Sequence, residues 1–152
     1  MGVNSAGEIY HRDVLKGTWE SIDGDLNKIT IGPLGVFGVN PSGNAFYLRG
    51  TYKNPFSPGT DWQRLESANT FKSISPGLKD VLCTTTSDEV FVLENIELKG
   101  DILFTWKKID GSIKHISASG GNYCQSHIIS TTFIISVVNH IFKTVTYDVG
   151  HH

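Results

Sequence analysis

Three tryptophans, Trp19, Trp62 and Trp106, divide the chain at intervals of 43 and 44 residues. The same grammar follows each of them. Trp19-Glu20-Ser21-Ile22-Asp23-Gly24 leads into Lys28-Ile29-Thr30-Ile31-Gly32, then into Val36-Phe37-Gly38-Val39-Asn40 and Ala45-Phe46-Tyr47-Leu48-Arg49. Trp62-Gln63-Arg64-Leu65 leads into Phe71-Lys72-Ser73-Ile74-Ser75, Val81-Leu82-Cys83 and Glu89-Val90-Phe91-Val92-Leu93. Trp106-Lys107-Lys108-Ile109-Asp110-Gly111 leads into Ile113-Lys114-His115-Ile116-Ser117. A fixed period of this length marks a repeat architecture, in which each unit buries its apolar face only against its neighbours.

The segments are short, β-branched and aromatic, and glycine, proline and asparagine punctuate them, as expected of strands joined by tight turns. The first full unit reads as four strands, Trp19–Ile22, Lys28–Ile31, Val36–Asn40 and Ala45–Arg49. Four short antiparallel strands per unit predict the blade of a β-propeller. Residues 2–12 match residues 38–49, so the chain opens in the middle of a repeat. Residues 52–59 form a longer loop whose two prolines exclude a central strand. The units run over 19–61, 62–105 and 106–150, the last losing the pattern after Gly121. Residues 122–136 read as an insertion or a degenerate strand pair, and residues 137–143 echo the Gly-Val-Asn to Phe-Tyr segment. No segment has helical periodicity.

The bulk numbers exclude several classes. At 152 residues the chain suits one domain, and 18% charged residues with 11% aromatics is not a disordered composition. A net charge of −2 without a dense basic patch argues against nucleic acid. The run from Ile128 to Val138 is too short and too polar to span a bilayer. The N-terminus lacks the basic and apolar regions of a signal peptide. Cys83 and Cys124 are nearly one period apart; a disulfide between them is one reading, and two free thiols are the expected one.

The combination of Trp-x-x-Ile with Gly-Val-Asn-x-x-Gly-x-(Ile/Phe)-Tyr at this period resembles the tectonin β-propeller repeat. That family includes the tectonins and fish-egg lectins, and the repeat also occurs in larger intracellular adaptors. The resemblance is strong over residues 2–50, good over 62–93, partial over 106–121 and faint over 137–143. Phe37 and Leu82 stand where the family has a tryptophan before Gly-Val-Asn. The resemblance implies an all-β fold, a partial or open β-propeller of about three to four four-stranded blades. It also implies lectin-like recognition of glycans or bacterial lipopolysaccharide, a role in innate defence, and a secreted, extracellular setting. A non-catalytic protein-interaction module is the alternative.

Candidate ligand residues follow from chemistry. Trp19, Trp62 and Trp106 offer flat faces to the C–H face of a pyranose, although a residue fixed once per repeat usually packs between units. Asn4 and Asn40 offer donors and acceptors suited to sugar hydroxyls, or each closes its own turn. The six histidines lack metal-ligand spacing, and Gly32-Pro33-Leu34-Gly35 lacks the Gly-Lys-Ser/Thr of a phosphate loop. Asp23/Asp25 and Asp88-Glu89 are carboxylate pairs at turns, a poor arrangement for a glycosidase. No catalytic set, metal or cofactor is expected. Self-association is expected of an open arc, whose end blades expose apolar faces and strand edges.

Overall fold

The computed structural model describes residues 1–113 throughout. Beyond them it describes the backbone of the strands Ile116–Ala118, Tyr123–His127, Thr132–Val138 and Ile141–Tyr147. All regular structure among the described residues is β. The first sheet holds β1 (Gly2–Val3), β2 (Ile9–Arg12) and β3 (Trp19–Ile22). The second holds β4 (Lys28–Gly32), β5 (Gly35–Val39), β6 (Ala45–Leu48) and β7 (Trp62–Leu65). The third holds β8 (Phe71–Pro76), β9 (Val81–Thr85), β10 (Glu89–Lys99) and β11 (Asp101–Ser112). The four later strands, β12 to β15, form the fourth.

Every sheet is an antiparallel meander in chain order. The leading strands lie side by side, β1 against β4, β4 against β8 and β8 against β12, which gathers them toward a common axis. This is a partial β-propeller, as the period implies.

The repeat and the blade are out of phase by one strand. Trp62 of β7 pairs with Leu48 of β6, and Trp19 of β3 pairs with Arg12 of β2. Each tryptophan strand therefore closes the preceding sheet as its outermost member, where the sequence grouping had made it the first strand of the following one. Two further readings change. Residues 122–136 contribute strands β13 and most of β14, so they are a degenerate strand pair rather than an insertion. The echo at 137–143 joins the third and fourth strands of its sheet, whereas Gly-Val-Asn to Phe-Tyr joins the second and third.

Position within the blade explains the residue choice. β5 and β9 are covered on both faces by neighbouring sheets, and all their residues are buried. They therefore read as continuous apolar or small runs instead of alternating. The main core lies between the second and third sheets, with Phe37, Tyr47, Leu65, Phe71, Ile74 and Leu93 among its members. Phe37 and Tyr47 meet at 5.4 Å. Cys83 is a free, buried thiol of this core, and burial pushes its pKa up. The side chain of Cys124 lies outside the described residues.

Candidate functional site

One turn is built three times on one face of the arc. Asn40 Oδ1 accepts the amide of Asn44 at 2.8 Å, and the Asn40 carbonyl accepts Gly43 N–H at 2.9 Å. Asn4 Oδ1 accepts the amides of Ala6 and Glu8, both at 3.0 Å, while Gly7 N–H reaches the Asn4 carbonyl. In the third sheet Thr85 Oγ1 takes the role, accepting from Ser87 and Glu89, with Asp88 N–H on the Thr85 carbonyl. Gly7, Gly43 and Asp88 occupy the left-handed region at φ 84°, 79° and 65°. A side-chain acceptor at the first position and a left-handed residue three later is the chemistry of a bulged hairpin. Asn4 and Asn40 thus spend their side-chain oxygens on their own turns, and Asn4 Nδ2 donates to Glu8 at 2.7 Å.

Each of these turns then grips the next sheet. Leu26 N–H donates to the Gly7 carbonyl at 3.2 Å, Phe71 N–H to Gly43 at 2.8 Å and Ile113 N–H to Asp88 at 2.8 Å. Leu26, Phe71 and Ile113 are all buried apolar residues. The clamp joins an apolar anchor to a backbone bond at every boundary from the first sheet to the fourth.

The three tryptophans have three different surroundings. The Trp106 ring stacks on Phe71 at 4.8 Å and 18°, meets Phe91 and Phe104 edge-on, and donates Nε1–H to the Glu66 carbonyl at 2.8 Å. That ring binds the third sheet to the second. Trp62 is half-buried with Nε1 unpartnered; a Cβ at Gly24 would lie 3.1 Å from it, so it packs on the link between the first and second sheets. Trp19 is 59% exposed. The first sheet has three strands among the described residues, and the third has four, with Phe71 on its leading strand β8.

The loop before Trp19 is ordered by one carboxylate. Asp13 accepts the amides of Leu15 at 2.9 Å and Lys16 at 3.0 Å, and Lys16 bridges Asp13 and Glu20 at 3.4 Å each. The backbone hydrogen bond from Lys16 leads in holding the Asp13 carboxyl below its usual pKa. Trp19 also faces Arg12 across the ladder. An open indole beside an exposed guanidinium and a fixed acidic-basic loop can take a ring stacked on its face with polar groups at its edge.

The sequence reading missed the loop tips on the opposite face, where Leu15, Phe56, Leu78 and Leu98 stand exposed. A signal was present, because the dipeptide Leu-Lys recurs at 15–16, 78–79 and 98–99, each time at a turn.

These features define a repeat protein of the partial-propeller class with paired structural and exposed tryptophans. The Tectonin domain family matches residues 1–84, more than half of the sequence, and the chain belongs to that family. The crystal structure of human WBSCR16 is similar at a TM-score of 0.57 and 14% identity, over 95% of this chain and 46% of that one. That likeness is one of fold, and this chain spans less than half the length of that protein. No curated protein matches the chain by sequence.

Proposed function

We propose that the chain is a lectin-like module that binds glycans or the saccharide of bacterial lipopolysaccharide without turning them over. Membership of the tectonin family supports this reading, and one observation carries it at residue level. Of the three repeated tryptophans, Trp19 alone is largely exposed, opposite Arg12 in the ladder and after the Asp13-ordered loop. Trp106 has its ring face on Phe71, and Asn4 and Asn40 serve their turns. The carboxylates near the turns are engaged with lysines, Asp88 with Lys72 and Glu89 with Lys108, which suits structure better than acid–base work. Copies that associate through the lateral faces of a partial ring would bring several such sites together and raise avidity.

A glycan array with the purified chain and Trp19→Ala tests the reading. Binding by the wild type that disappears in Trp19→Ala, with the melting temperature unchanged, is the expected result. Binding unaffected by that change would remove Trp19 from the site. A blank array would favour a protein-interaction module, the reading that the intracellular relatives of this repeat suggest.

A further inference from the structure

In a meander sheet the first-to-second and third-to-fourth connections lie at one end, and the second-to-third and outgoing connections at the other. Contacts join the connections of the second and third sheets at the first end. Lys53 N–H reaches the Leu34 carbonyl, Tyr52 Oη–H reaches the Ile96 carbonyl, and Arg49 bridges Asp61 and Asp101.

The two surfaces differ in chemistry. The first presents Leu15 at 99% exposure, Phe56 at 83%, Leu78 at 51% and Leu98 at 47%, with Val14 beside Leu15. These side chains come from separate connections of all three fully described sheets. An exposed lysine follows or flanks each: Lys16, Lys53, Lys79 and Lys99. The opposite surface, over residues 4–8, 23–27, 40–44, 66–70, 85–89 and 110–112, carries seven carboxylates, Glu8, Asp25 and Glu66 among them, and no lysine or arginine. On the apolar surface Asp13, Asp61, Asp80, Glu97 and Asp101 balance the cations; opposite, Lys72, Lys108 and Arg64 pair with Asp88, Glu89 and Glu66, which leaves Glu8, Asp23, Asp25 and Asp110 as a surplus of negative charge.

We propose that the Leu15–Phe56–Leu78–Leu98 surface docks on an anionic phospholipid bilayer. The four side chains stand apart, three on separate loops and Leu98 near the end of β10, so no single element joins them into one site for a folded partner. A bilayer interface accepts separate apolar tips, while lysine stems run up beside them and hold their charge at the headgroups. The charge contrast supplies the orientation: a negative surface repels the acidic face and leaves the electroneutral one, with Lys53 and Lys79 outside any ion pair among the described residues, to approach the headgroups. Lys79 has no ion pair among the described residues, and Lys53 lies 5.2 Å over the Tyr52 ring, a position it can leave toward a phosphate.

Co-sedimentation of the full chain with vesicles of phosphatidylcholine plus phosphatidylserine tests this, with phosphatidylcholine alone and no vesicles as controls. The wild type should pellet with the mixed vesicles, less with phosphatidylcholine, and less again at high salt. Leu15→Ser/Leu78→Ser/Leu98→Ser should weaken binding roughly ten-fold or more, since each leucine loses its burial in the interface. These positions are exposed, so the triple variant should melt as the wild type does. Lys53→Gln/Lys79→Gln/Lys99→Gln should remove the preference for phosphatidylserine. A wild type that stays in solution with every vesicle overturns the proposal. So does a leucine variant that binds as well as the wild type. A wild type that pellets without vesicles, and a leucine variant that does not, would assign the surface to a second copy of the chain instead. Glycan binding through Trp19 can survive any of these outcomes, because the leucine changes keep the Asp13 carboxylate with its backbone partners and the lysine changes lie outside the loop before Trp19.

Discussion

The amide of Phe71 donates to the carbonyl of Gly43 across the boundary between the second and third sheets, at 2.8 Å. Phe71 also lies under the Trp106 ring. One residue therefore ties three parts together: the hairpin turn of one sheet, the leading strand of the next, and that sheet's outermost strand. Leu26 and Ile113 repeat the backbone bond at the other two boundaries.

Gly43 is held on two grounds, its φ of 79° and the space beside it. A Cβ there would meet Thr70 Cγ2 at 2.2 Å and Phe71 N at 3.2 Å. Gly100 has a similar φ of 83° with nothing within 4 Å. Gly43→Ala should therefore destabilise by more than Gly100→Ala, with strain of about 1–3 kcal/mol common to both and the clash added in the first. Urea melts of the two variants decide it, and equal losses would show that the Phe71 clamp gives way freely.

Gln63 behaves as a piece of strand. Its Nε2–H donates to the Ile102 carbonyl at 2.9 Å and its Oε1 accepts Ile102 N–H at 2.7 Å, so an outer strand of the second sheet completes one of the third. Ile102 is buried. Gln63→Ala should leave both backbone groups without partners, at about 1–3 kcal/mol for each unsatisfied group. Gln63→Glu keeps the acceptor and loses the donor, so it should fall between wild type and alanine at neutral pH. Thermal melts that ranked glutamate below alanine would contradict this account.

Acid should loosen the loop before Trp19. The Asp13 carboxyl is held below its usual pKa, so the folded loop favours the charged form. Its contribution is present above the unfolded value of about 3.9 and is lost as pH falls through the lower folded value. Amide exchange at Leu15 and Lys16 should stay slow at neutral pH and speed up in acid relative to neighbouring turns. The difference should vanish in Asp13→Ala.

The strands were legible because each carries its own pattern. Trp19–Ile22 was read with the bounds the structure shows, and Lys28, Ala45 and Trp62 each begin a strand as expected. The phase was not legible. A period looks the same whichever strand is taken first, and only pairings such as Trp62 with Leu48 choose. The echo at 137–143 misled for a related reason: β-branched residues around an asparagine suit any hairpin of a meander. Nor could sequence separate Trp19 from Trp106. Both occupy one repeat position, and their exposure depends on what packs against the ring, which for Trp106 is Phe71, Phe91 and Phe104 of its own sheet.

The one-strand offset has a consequence for a severed chain. The longest connection among residues 1–113, residues 49–61, runs between β6 and β7, which are bonded neighbours in one sheet. A protease cut there would leave each fragment incomplete, one lacking the strand that closes its sheet and the other carrying that strand as an unattached arm. The ladder from Ala45–Leu65 to Leu48–Trp62 would then act as a latch between two polypeptides. Nicking would convert the molecule into a noncovalent heterodimer that keeps its shape, and separately made halves would recognise each other by completing that sheet.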